Sequence, residues 1–276
     1  MPDSLTLSNL LLIDECLLDA RRVNFFREAI ERIVKPGDIV VDAGTGTGIM
    51  ALCAARAGAK KVFAVELDSG IAEIAKHNVQ ANHYDSIIEV INRDAATFML
   101  PTKAPIDVLI MEMLDTGLVA EHEARTMIAL KQNGVIDDHT RLLPEKANLL
   151  IRAINYDFNF YGFYLPSIVQ ARNYGVSQKI KGIYSSLESY GIVEFRSLTS
   201  SKIAAKVKLE MSQAGIINAL ELRTDIYLAG KKYSSTTDMN MPVVIPITER
   251  GVKEGDVIDF DISYQMGEGF GTLKIT

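Results

Sequence analysis

"VVDAGTGTG", residues 40–48, is the stretch on which the fold turns. Two β-branched residues lead into an acid, Asp42, and glycines then stand at 44, 46 and 48. A small-residue run, "IMALCAARAGA" (49–59), follows with the composition of a helix packed close to a sheet. Glycines between a strand and a helix let the backbone take positive φ, approach a ligand and aim helix-terminal N–H groups at it. Such a unit belongs to an open parallel α/β sheet, whose ligands bind at the carboxyl ends of the strands. A dinucleotide fingerprint requires G-x-G-x-x-G/A. Counted from Gly44, the third place is Ile49. Counted from Gly46 it is Ala51, which fits but makes the first glycine late and leaves Asp42 without a role.

Upstream of this stretch, Val23, Phe26, Ile30 and Ile33 recur at helical spacing between about 10 and 35, and "KPGD" (35–38) stops the helix. Downstream, "KKVFAVE" (60–66), "SIIEVINRD" (86–94) and "IDVLIME" (106–112) read as strands. The runs "SGIAEIAKHNVQANH" (69–83) and "EHEARTMIALKQN" (121–133) read as helices. This alternation predicts an α/β fold: a helical segment over 1–35, then a Rossmann-like, mostly parallel sheet over 36–147. Beyond about 148 the pattern changes to period two. Leu220, Leu222, Ile226 and Leu228 alternate with Glu221, Arg223, Asp225 and Tyr227, and "VIDFDISYQM" (257–266) alternates likewise. A smaller, antiparallel β-barrel-like domain over 148–276 is expected, its strands having one wet face.

Acids close the strands of the first half. Glu66, followed by Leu67, ends one; Asp94, followed by Ala95, ends the next. Either acid alone could be a turn or cap residue, but three in register on one sheet edge point to a ligand site. The three are Asp42, Glu66 and Asp94; a further strand ends in Glu112, in "MEMLDTGLVAE" (111–121), where a second acid, Glu121, returns nine residues later. A carboxylate at the end of a core strand is costly unless it is paired. Two of them suit a cationic ligand. The alternative for Glu121 is a first-turn acid of the following helix, interacting with its dipole. His122 is either a base beside Glu121 or an exposed helix residue.

An acid two residues before the first glycine, D-x-G-x-G-x-G, resembles the first motif of class I S-adenosylmethionine-dependent methyltransferases. The resemblance implies S-adenosyl-L-methionine as cofactor, its methionine part supported by the loop of Asp42, Gly44, Gly46 and Gly48. It implies Glu66 (with Leu67) on the ribose and Asp94 (with Ala95) on the adenine. The spacing of Glu112 and Glu121 narrows it further, since it looks like the double-glutamate loop of protein arginine methyltransferases. "DECLLDARRVNFFREAI" (14–30) resembles that family's N-terminal segment, in which an Asp and an Arg three residues later face the cofactor; here they are Asp19 and Arg22. "GTGTGIMALCAARAGAKKVFAVE" (44–66), "RLLPEKANLLIRAI" (141–154) and "FYGF" (160–163) agree with it too, so residues 10–165 match well and the rest loosely.

That resemblance implies metal-free methyl transfer to a cationic side chain of a protein or peptide. Glu112 and Glu121 would be catalytic, Arg22 would face the cofactor carboxylate, and a homodimer would form through an arm over 170–191. The chain also departs from the family. It has no tryptophan, and its four histidines (77, 83, 122 and 139) all precede the barrel. Thr237-Asp238-Met239 stands where the family carries Thr-His-Trp, and Ile13 where it carries a histidine. These departures leave open a non-arginine acceptor (a small amine or a nucleic-acid base), or a non-catalytic S-adenosylmethionine-binding module.

Composition sets outer bounds. The 276 residues are 48 % hydrophobic and 23 % charged, as in ordinary globular proteins. No apolar run reaches the roughly 20 residues of a membrane span, and the N-terminus lacks a basic segment before its apolar run. The two cysteines, Cys16 and Cys53, allow neither a disulfide framework nor a zinc cluster. A cytoplasmic location is expected. The net charge of −6 argues against broad nucleic-acid binding.

Overall fold

The computed structural model describes residues 7–101, 105–170, 179–234 and 241–276. Thr237-Asp238-Met239 and residues 171–178 of the expected arm lie outside them. Parallel strands β1 (Ile39–Ala43), β2 (Lys61–Glu66), β3 (Ile88–Asn92), β4 (Val108–Met111) and β5 (Arg141–Leu143) form a sheet in the order β3–β2–β1–β4–β5. The chain steps outward from β1 through β2 to β3, then crosses back to lay β4 on the other side of β1. That reversal opens a crevice at the carboxyl ends of β1 and β4. Register aligns the strand ends: Ala43 pairs with Val65 on one side and with Met111 on the other, and Glu66 pairs with Asn92. Val40, Val62, Val108 and Leu109 have no exposed surface, which is why these short runs read as unbroken apolar strands.

Helices α1 (Leu7–Leu18), α2 (Ala20–Ile33), α3 (Ile49–Arg56), α4 (Ser69–Ala81) and α5 (Glu123–Gln132) accompany the sheet. The N-terminal segment is two helices broken at Asp19, although its apolar spacing reads as one. Asp19 leaves helical geometry and its side chain accepts the Arg22 N–H at 3.0 Å, satisfying an amide that the new helix leaves open. Phe26, Ala29 and Ile30 then form the buried face of α2. Among the described residues, no helix is long and apolar enough to cross a membrane.

The second half is antiparallel. Its strands are β6 (Lys146–Tyr156), β7 (Asn159–Phe160), β8 (Phe163–Tyr164), β9 (Val169–Gln170), β10 (Ile180–Ile183) and β11 (Glu188–Glu194). They continue with β12 (Lys202–Glu210), β13 (Gly215–Leu228), β14 (Lys231–Ser234), β15 (Val243–Val252), β16 (Val257–Gln265) and β17 (Lys274–Ile275). A seven-stranded sheet follows the order β10–β6–β13–β15–β9, with β11 on β6 and β14 on β13; β12–β16–β17 form a second sheet. On β16, Ile258, Phe260, Ile262 and Tyr264 are buried while Asp259 and Asp261 are exposed, as alternation predicts.

β13 departs from that expectation, because both of its faces are covered. Glu221, expected on the wet face, is 0 % exposed. The strand lies between β6 and β15, and Arg152 of β6 and Arg223 converge on the Glu221 carboxylate, Arg223 at 2.8 and 3.0 Å. Two guanidiniums replace the water that a lone carboxylate would need.

Candidate active site

The crevice beside β1 holds a cleft of about 290 Å³. Its floor is the glycine loop. Gly44, Gly46 and Gly48 have φ of +75, +55 and +85°, the left-handed region that favours glycine. Gly44 N–H and Thr45 N–H donate to the Val65 carbonyl at 2.9 and 3.0 Å, folding the loop back over β2. A Cβ on Gly44 would stand 2.8 Å from Met113 Cγ, so the loop and the start of the acid stretch approach as closely as glycine permits. Gly44→Ala adds left-handed strain of about 1–2 kcal/mol and displaces Met113. We expect roughly tenfold weaker binding of S-adenosylhomocysteine; calorimetry giving an unchanged affinity would contradict this role.

Asp42 lies beneath the loop rather than in the cleft. It is 1 % exposed, and Thr45 Oγ1 donates to its Oδ2 at 2.5 Å. Burial pushes its carboxyl up to about 7, against hydrogen bonds from Thr45 and the Ala51 amide and with the Glu66 charge. Its visible task is to tie the loop to the start of α3. Gly48 likewise serves the backbone, capping α3 and lying 3.7 Å from Ala75 at the nearest approach of an added Cβ.

The other residues singled out in the sequence line the cleft: Arg22, Gly44, Gly46, Glu66, Leu67, Asp94, Ala95, Glu112 and Glu121. Glu66 accepts Gly46 N–H on Oε2 and Asp68 N–H on Oε1, both at 3.0 Å, so its carboxylate is held rigidly. Each oxygen keeps a second lone pair for a ligand hydroxyl. Asp94 accepts Ala96 N–H at 2.9 Å and pairs with Arg125 at 2.9 Å. Arg125 carried no signal in the sequence beyond lying on a helix. Exposed Leu67 forms part of the rim.

Arg22 is buried at 6 % exposure, and its Nη1 lies 3.0 Å from Glu112 Oε2. Burial opposes its charge, yet Glu112, Cys16 and Asp19 hold the guanidinium above its usual value. Burial raises Glu112 to about 7 although Arg22 pulls it down, with Glu121, Asp42 and Asp19 adding to the rise. Glu121 is raised by burial and lowered by His122 and Arg22. It precedes α5 rather than opening it: the N-cap is His122, and the acid of the first turn is Glu123. Glu123 is 0 % exposed, with neither carboxyl oxygen meeting a hydrogen-bond partner among the described residues, and burial lifts it well above the ordinary range. His122 is exposed at the cleft mouth.

These residues suit an adenosyl amino acid. The buried Arg22 Nε has no hydrogen-bond partner among the described residues and belongs to a cleft-lining side chain, as a ligand carboxylate requires. Gly44 leaves no room for a side chain beside Met113, and Glu66 presents a fixed acceptor.

Comparisons with known proteins agree. The family model for PrmA, ribosomal protein L11 methyltransferase, matches residues 26–158. An uncharacterised protein of Methanocaldococcus jannaschii is 32 % identical over 260 residues, covering 94 % of this chain and 93 % of that one. The arginine N(omega)-methyltransferase of Streptomyces achromogenes subsp. streptozoticus is 35 % identical over 150 residues, covering 51 % of this chain and 39 % of that protein. The Trypanosoma brucei PRMT1 enzyme-prozyme heterotetrameric complex with AdoHcy superposes with a TM-score of 0.77 at 20 % identity, covering 90 % of this chain and 86 % of that one, a likeness of fold. The chain is a class I S-adenosylmethionine-dependent methyltransferase that resembles the protein arginine methyltransferases, and its cofactor is S-adenosylmethionine. It spans about two fifths of the length of the arginine methyltransferases it matches.

Proposed function

We propose that this methyltransferase acts on a guanidinium group of a protein or peptide, held by Glu112 and Glu121. The observation that carries the reading is the presence of both carboxylates in the cleft that also contains the glycine floor, Arg22 and Glu66. The name of the Streptomyces relative, an arginine N(omega)-methyltransferase, supports the same acceptor chemistry. Bound S-adenosylmethionine supplies an electrophilic methyl group on a sulfonium.

The side chains have distinct tasks. Arg22 holds the carboxylate of the donor through its free Nε, Glu66 accepts from the ribose and Asp94 from the adenine. Glu112 and Glu121 accept the N–H groups of the acceptor and turn one nitrogen toward the methyl. A guanidinium has a pKa above about 12, so removing its proton beforehand at neutral pH would cost roughly 7–9 kcal/mol. The acids avoid that cost by favouring positive charge on the other nitrogens while the attacking one recovers its lone pair. The proton leaves late. The same pair disfavours a lysine, whose ammonium the carboxylates would stabilise in its non-nucleophilic form.

Incubating the enzyme with labelled donor and an arginine-containing peptide, then hydrolysing the product, should release methylarginine. Label on the peptide without methylarginine would refute the reading. A pH dependence follows from Glu112. Its neutral form cannot attract a cation, so acceptor affinity should fall as pH drops below about 7, by up to tenfold per unit. Titration of the peptide with S-adenosylhomocysteine present, between about pH 6 and about 8, checks this. A flat profile counts against Glu112 as acceptor ligand.

A further inference from the structure

The acid stretch owes its shape to a residue to which the sequence pattern gives no role. After β4 the chain turns at Asp115, passes Gly117 and Leu118 at φ of +81 and +56°, and comes back to Glu121. Leucine in the left-handed region costs about 1–2 kcal/mol, so the turn persists only if other contacts over-determine it. The Asp115 side chain supplies three of them. Oδ2 accepts Val119 N–H at 3.1 Å and Ala120 N–H at 3.0 Å, and Oδ1 accepts Glu121 N–H at 3.3 Å. Its own carbonyl accepts Leu118 N–H at 3.1 Å. Asp115 is buried, so its carboxylate has these amides in place of water.

The second half of the chain grips the same turn from outside. Gly117 N–H donates to Thr224 Oγ1 at 2.7 Å, and the Tyr264 hydroxyl donates to the Gly117 carbonyl at 2.6 Å. Gly269 N–H donates to the Val119 carbonyl at 2.8 Å. Those contacts hold the outer bend. Only Asp115 reaches, among the hydrogen bonds on the described residues, to the amide of Glu121 itself. Glu112 follows directly from β4, so the spacing of the two acids depends on how the return is anchored.

We propose that Asp115 is the positioning residue of the acid pair: by binding the amides of residues 119–121 it sets the place of Glu121 relative to Glu112. This rests on the reading of the two glutamates as acceptor ligands. Asp115 itself is not among the residues that line the cleft.

The test is Asp115→Asn, which keeps the size but turns an N–H₂ group toward amides that need an acceptor. Affinity for S-adenosylhomocysteine should stay within about twofold of wild type, because the donor end is untouched. Methyl transfer to an arginine-containing peptide should fall on the order of 100-fold, and amide exchange at 119–121 should accelerate. In a Glu121→Gln background, the same change should cost little further peptide affinity; a merely structural residue would cost as much there as in wild type. If Asp115→Asn fails to fold, Asp115→Glu decides. It keeps the acceptors on a longer arm and should bind the donor product normally while losing transfer. Unaltered transfer in a folded variant overturns the proposal and leaves the functional reading standing. A wild-type enzyme that neither binds nor methylates arginine peptides overturns both.

Discussion

Glu112→Gln should lower methyl transfer on the order of 1,000-fold while leaving the donor bound. The substitution keeps the shape at the end of β4 and removes the charge in a cleft where little water screens it. The acceptor guanidinium then loses a charge-assisted partner at the moment its nitrogen must be aimed, and losing one preorganised group of this kind typically costs about 10²–10³-fold or more. The Arg22–Glu112 pair at 3.0 Å adds a second signature. Without Glu112, the buried Arg22 charge has lost its partner, and the carboxylate of the donor becomes its best replacement. S-adenosylhomocysteine should therefore raise the melting temperature of the variant by more than that of wild type. Wild-type turnover in Glu112→Gln would remove the acid pair from the mechanism, and loss of donor binding would reassign Glu112 to the cofactor.

Glu221→Ala should destabilise the protein by about 3–5 kcal/mol without altering any cleft residue. The carboxylate is fully buried in β13 and is the shared partner of Arg152 and Arg223. Removing it leaves two guanidiniums, 15 % and 26 % exposed, facing each other without a counter-charge. At about 2–4 °C per kcal/mol, the midpoint of thermal unfolding should drop by roughly 10 °C. Glu221→Gln, which keeps an acceptor but not the charge, should fall between. A midpoint within about 2 °C of wild type for the alanine variant would show that the two arginines find other partners.

Much of the sheet and many of the residues that line the cleft are legible in the sequence. Strand, glycine turn and helix are local patterns, and strand-end positions are fixed by an alternation that needs no long-range information. Glu66, Asp94 and Glu112 therefore stood out as acids on one edge. The placement of β4 beside β1 belongs to the tertiary structure, in which the strand order is β3–β2–β1–β4–β5.

Other features followed from contacts with distant parts of the chain. Period two on β13 predicted a wet face, but a strand between two neighbours can bury its polar side when arginines arrive from β6 and from the strand itself. The motif reading assigned Asp42 to the cofactor, while packing placed it under the loop on Thr45. Nothing in the neighbours of Asp115 in "MEMLDTGLVAE" announces three amides on one carboxylate. Arg125 reaches Asp94 from a helix separated from it by 31 positions.

The amino-acid order alone determined the class of fold, the glycine loop and the row of acids, because each arises from spacing within a few residues. The tertiary structure alone decided which acids face the cleft, which are buried in pairs and which shape the backbone. Burial and hydrogen bonding there depend on partners as far apart as Tyr264 and Gly117, 147 positions along the chain. A carboxylate acquires its charge state and its work from the groups that closure of the fold brings against it.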